Sequence, residues 1–175
     1  MSKNTSKKTS VETLLNEQVT KEFYSAYLYL DFANFYKEKG LNGFANWFDV
    51  QAKEELDHAL LFKDYMLKND MHVELETVDK PQADTKNLID PLKQALQHEK
   101  YVTGLINAIY AQAHEEKDFR TMQFLDWFVK EQSEEENNAR TNIQRMELFG
   151  NDAKSLYSLD SELGARVYAA PTLVV

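Results

Sequence analysis

The chain reads as an all-α protein, a four-helix bundle with one long crossover between its second and third helices and a short fifth helix near its C-terminal end. Three observations predict this. Four long segments carry apolar residues three and four positions apart, the period of one helix face. Only five Gly and three Pro interrupt 175 residues, so there are few turns. The stretch 70–87 between the second and third segments lacks helical period, contains Pro81, and is far longer than a hairpin loop.

The first helix is expected from about Val11 to Lys39, on a stripe of Leu15, Val19, Ala26, Tyr29 and Ala33, with Gly40 and the Leu41-Asn42-Gly43 turn ending it. The second runs from about Phe44 to Asn69, with the stripe Phe44, Phe48, Gln51, Glu55, His58, Phe62, Tyr65. Extended, the following 18 residues reach roughly 59 Å, against ~40 Å for a 27-residue helix. They can therefore cross the bundle lengthwise and start the next helix at the end where the second began. The third helix spans about Leu88 to Glu116, with Pro91 in its first turn, and its stripe of Leu92, Ala95, Val102, Ile106 and Ile109 is interrupted by Glu99. Asp118 is the expected N-cap of the fourth, Phe119 to Phe149, whose face reads Leu125, Phe128, Gln132, Glu135, Ala139, Met146 before Gly150. Asn151 to Leu163 forms the short fifth helix.

Composition narrows the function. With 29 acidic and 20 basic residues the net charge is -9, so nucleic acid, which needs a basic face, is not expected as a partner. No run approaches the ~20 apolar residues of a membrane span. Residues 1–10 are polar and Lys-bearing with no apolar segment behind them, which does not read as a signal peptide, and a cytoplasmic location is expected. The absence of cysteine removes disulfides, thiolate metal sites and a Cys nucleophile.

The carboxylates inside the apolar stripes carry the chemistry. Counted from a turn near residue 41, Glu22 lies 19 positions before it, and Glu55 and His58 lie 14 and 17 after. Counted from residue 117, Glu99 and Glu135 each lie 18 away. Across a parallel crossover Glu55 and Glu99 are also level within a turn. A single half-exposed Glu is ordinary, but four acids meeting at one height of a core need cations to balance them. Hard oxygens with imidazole suit iron or manganese. His72, His98 and His114 match no ligand position and read as surface or structural residues.

These residues resemble the bacterial non-haem ferritins. The likeness runs from about Leu15 to Leu163, on Leu15-Asn16-Glu17-Gln18 with Glu22 and Tyr29, on Glu54-Glu55-Leu56-Asp57-His58, on Glu99, and on the stretch from Trp127 to Glu136. It implies a ferritin-like di-iron domain over 11–164, with 1–10 a flexible N-terminal tail and 165–175 a C-terminal tail. It implies that Glu22, Glu55 and His58 hold one iron, and that Glu55 bridges to a second held by Glu99 and Glu135 with Gln132 nearby. Glu54, Glu131 and Glu134 match a third iron site, although an acidic run is also what a solvated face carries. Tyr29 and Trp127 flank the centre as redox neighbours or plain core aromatics.

The resemblance further implies a homo-oligomeric shell of twenty-four subunits that oxidises Fe(II) with dioxygen or hydrogen peroxide and stores ferric mineral, the short fifth helix lining its four-fold axes. Haem-binding relatives carry Met after the bridging Glu, where this chain has Leu56, and repeat Glu-x-x-His in the fourth helix, where it has none. No haem is therefore expected. The alternatives are a smaller di-iron or manganese oxidase and an inert bundle whose acids merely bind cations.

Overall fold

The computed structural model describes residues 10–175, so the tail expected at 1–10 lies, Ser10 apart, outside the described residues. Five helices follow in order, α1 (Val11–Glu38), α2 (Asn42–Lys68), α3 (Asp90–Glu116), α4 (Phe119–Phe149) and α5 (Ala153–Leu163), with no strand among the described residues. The α1–α2 and α3–α4 hairpins form the bundle, and α5 packs mainly on α2.

Local chemistry sets each boundary. The Ser10 hydroxyl accepts from the Thr13 N–H at 3.2 Å and caps α1. Gly40, at φ +77°, closes α1, with its N–H on the Lys37 carbonyl and the Leu41 N–H on that of Tyr36. Helix α2 starts at Asn42, two residues before the expected Phe44, because Asp160 of α5 supplies a cap from outside, its Oδ1 accepting from the Phe44 N–H at 2.9 Å. Helix α3 starts at Asp90 rather than Leu88 because the Asp90 carboxylate accepts from the N–H groups of Lys86 and Asn87, holding 86–89 in a turn. Asp118 caps α4 as expected, and Asp152 caps α5, delaying its start to Ala153. Two stops use residues other than glycine in the left-handed region, Asp70 after α2 (φ +57°) and Lys117 after α3 (φ +60°).

The crossover runs the length of the bundle and is tied at both ends. Near its start the Asn16 amide pairs reciprocally with the Glu74 backbone, at 2.9 and 3.0 Å. Near its finish the Tyr36 hydroxyl donates to the Leu88 carbonyl. Two apolar clusters fill the interior. One gathers Phe32, Tyr36, Phe44, Phe48 and Leu92, and the other Leu15, Val19, Phe62, Ile106 and Phe128. On each of α1 to α4 the stretch between the two clusters buries acids, Glu22, Glu55, Glu99 and Glu135, which leaves a charged layer across the middle of the bundle. No described helix is long and apolar enough to cross a membrane.

Candidate metal centre

The layer contains Glu22 from α1, Glu55 and His58 from α2, Glu99 from α3 and Glu135 from α4, none more than 4% exposed. Their stripe positions put them there. Glu55 and His58, three apart, leave the same face of α2, and the apolar residues a turn above and below seal them from water. One ligand atom from each of Glu22, Glu55 and His58 lies within 4.8 Å of the other two. Glu99 and Glu135 fall outside that tight triad but belong to the same charged set, since Glu135 feels the charge of Glu55 and Glu99 that of Glu135.

Neutral donors orient the acids. Gln18 Nε2 donates to Glu22 Oε1 at 2.7 Å, and Gln51 Nε2 to Glu55 Oε1 at 3.3 Å. His58 Nδ1 is 3.3 Å from Glu55 Oε2. Gln132 Nε2 donates to Glu99 Oε2 at 3.0 Å, and the Tyr29 hydroxyl donates to Glu99 Oε1. Gln18 and Gln51 stand in stretches that the sequence marks, but neither is assigned a role there. Gln51 sits in the stripe that names Glu55, and its position one turn before that acid is the signal that could have found it. Trp127 and Phe128 stand edge-on to the His58 ring, each with its centroid 5.6 Å away.

Protons hold the metal-free layer together. Burial raises the carboxyls of Glu22 and Glu135 to about 8, with the charge of Glu55 adding to it. Burial also raises Glu99 well above the carboxylate range, helped by Glu135. For Glu55 burial pushes upward, yet the charge and hydrogen bond of His58 prevail and lower it. The pair works the same way on the imidazole, where burial pulls down but Glu55 prevails and raises His58 to about 10. One buried acceptor, Glu22 Oε2, has no hydrogen-bond partner among the described residues. An orphaned carboxylate oxygen is costly in an apolar core. Glu22 shares its cluster with the Glu55 carboxylate and the His58 imidazole, so the residues fit a divalent cation.

The other expected residues lie toward the surface. Glu54, Glu131 and Glu134 line a cleft of about 350 Å³ that also reaches His58 and Trp127, and the segment 169–172 of the chain lies across it. Burial raises both Glu54 and Glu131. Glu54 is already paired with the Arg166 guanidinium. Arg166 was missed from sequence, because it stands 112 positions from Glu54 in a segment without periodicity. His72 and His114 are exposed, while His98 is structural, its Nε2 2.7 Å from Ser25 Oγ.

Fold and site together define a four-helix bundle with a buried carboxylate–histidine cluster of the kind that can hold a metal ion. Comparison with known proteins gives the family. The sequence pattern of the ferritin-like domain, described as Ferritin, matches residues 12–149. The chain is 37% identical over 150 residues to a bacterial non-heme ferritin of Campylobacter jejuni, covering 86% of this chain and 90% of that one. It is 34% identical over 154 residues to a protein of the same name from Staphylococcus aureus, covering 88% and 93%. Among solved structures it superimposes on an engineered closed form of the Archaeoglobus fulgidus ferritin with a TM-score of 0.89 and 38% identity, over 91% of this chain and 97% of that one. A novel open pore ferritin from the same archaeon gives a TM-score of 0.87 at 38% identity, over 90% and 96%. The chain belongs to the ferritin family.

Proposed function

We propose that this chain is a ferroxidase and iron-storage subunit, with Fe(II) as its substrate and ferric mineral as its product. The observation that carries the reading is the buried layer itself, in which four helices contribute acids to one depth and one carboxylate oxygen is left without a partner. Glu22, Glu55 and His58 bind one iron, and Glu99 and Glu135 bind a second, with Glu55 shared between them and Gln132 orienting Glu99.

Fe(II) entering the layer displaces the protons held on these groups. Anionic oxygen ligands favour Fe(III) over Fe(II), which makes each iron a better reductant. Two Fe(II) give up one electron each. Dioxygen takes both electrons and two protons and leaves as hydrogen peroxide, or hydrogen peroxide takes both electrons and two protons and leaves as two waters. Tyr29, donating to Glu99, keeps that ligand aimed inward. The reading includes assembly of identical subunits into a closed shell of twenty-four, a cytoplasmic location and no haem, since Leu56 and a fourth helix without histidine offer none of the haem-type pattern. It also takes 11–164 as the functional domain.

Anaerobic loading with Fe(II), followed by stopped-flow mixing with air, tests the reading. The protein is expected to oxidise iron much faster than buffer, and Glu55→Ala and His58→Ala to fall toward the buffer rate. An ordinary autoxidation rate in the wild-type chain, unaltered in both variants, would leave only an inert cation-binding bundle.

A further inference from the structure

The residues after Gly164 form no helix, yet they are held at every few positions. Asn46 Nδ2 donates to the Arg166 carbonyl at 2.9 Å, the Tyr168 hydroxyl to Asp57 Oδ2 at 2.6 Å, and Trp127 Nε1 to Thr172 Oγ1 at 3.2 Å. At the far end Lys68 Nζ donates to the Val175 carbonyl, and Leu173 and Val175 pack on the apolar cluster around Phe124. The anchors on α2 run from Asn46 to Lys68, ~33 Å along the helix axis. The ten residues from Arg166 to Val175, extended over nine steps, reach ~30 Å. The segment is thus a nearly taut strap along the α2–α4 groove.

Its first anchor is a charge. The Arg166 guanidinium lies 4.5 Å from the centre of the Trp47 ring. It donates to the Trp47 carbonyl at 3.1 Å, to Gln51 Oε1 at 2.9 Å, and to Glu54. Stacking and a fork of donors fit arginine better than lysine. Glu54 is the α2 contribution to the expected third iron position, and Glu131 and Glu134 line the same cleft. A guanidinium on the Glu54 carboxylate and a metal ion on it exclude each other.

We propose that Arg166 is the resident cation of the third position, so that a subunit with its strap seated binds two metal ions rather than three. The proposal rests on the metal-centre reading above. Because guanidinium stays charged at every physiological pH, the position opens only when the strap moves.

The test is an anaerobic Fe(II) titration of the assembled full-length protein, counted per subunit by equilibrium dialysis. The wild-type chain is expected to saturate at two tightly held ions, Arg166→Ala at three, and Arg166→Ala with Glu54→Gln at two again. Should Arg166→Ala fail to assemble, Arg166→Gln, which keeps hydrogen-bonding capacity without the charge, carries the same expectation. Three ions in the wild-type chain, or two in both chains, overturns the proposal and leaves the centre intact. Fewer than two in the wild-type chain would instead sink the metal-centre reading, and this proposal with it.

Discussion

At the scale of single residues, the centre is an arrangement of protons awaiting exchange. Folded and metal-free, the chain keeps protons on Glu22 and Glu135 up to about pH 8, whereas the unfolded chain releases them near the ordinary 4.5. His58 keeps its proton to about 10 against 6.5. In each case the folded state binds more protons across the window, so stability falls as pH rises. Glu55, shifted downward, opposes this only at acid pH, below the ordinary carboxylate value. The metal-free protein is therefore expected to melt at progressively lower temperature from about pH 5 to pH 9. Calorimetric melts check this, and a flat or rising profile would contradict it. Added Zn(II), redox-inert, is expected to release protons and to remove most of the slope. Gln51 supports Glu55 without being charged itself. Gln51→Ala is expected to weaken metal binding ~10–100-fold, the usual cost of losing a ligand's supporting hydrogen bond, as an isothermal titration can measure.

At the scale of helices, α2 and α5 meet backbone to backbone at Gly43. A Cβ at Gly43 would sit 1.6 Å from the Asp160 carbonyl oxygen, which is backbone and cannot step aside. Gly43→Ala is expected to push α5 away and cost several kcal/mol, the scale of severe overpacking. Asp160→Ala, which removes only the cap on Phe44 N–H, is expected to cost ~1 kcal/mol. Denaturant unfolding separates the two; equal costs would mean that the clash is relieved by local movement. The elements themselves were legible in sequence, since stripe period marks helices and Gly40, Asp118 and Gly150 mark their ends. The shifts at Asn42 and Asp90 were not, because the groups that set them, Asp160 and the turn at 86–89, act through contacts that periodicity does not encode. The same division holds at the centre. Acids that break an apolar stripe announce themselves, whereas Arg166 interrupts nothing and is defined only by what it reaches.

At the scale of the whole molecule, one face of the bundle remains apolar. Tyr27, Leu30 and Leu56 are 52%, 43% and 43% exposed and line, with Phe23 and Ala26, a shallow groove of about 690 Å³ on α1 and α2. Apolar patches of this kind mark surfaces that another molecule covers. In a shell of identical subunits that face is expected to meet its own copy. Leu30→Glu with Leu56→Glu should yield a species much smaller than the wild-type assembly in analytical ultracentrifugation. Unchanged sedimentation would place the contacts elsewhere.

Repetition also changes what a small gain is worth. Lys117 holds the left-handed stop of α3, a conformation that its Cβ makes costly and that glycine adopts at no steric cost. Lys117→Gly should stabilise each subunit by ~1 kcal/mol, readable as a raised unfolding midpoint. The position is remote from the acids, and in a closed shell one substitution is copied into every subunit at once. That makes an awkward turn a convenient handle for engineering a hardier container without altering its chemistry.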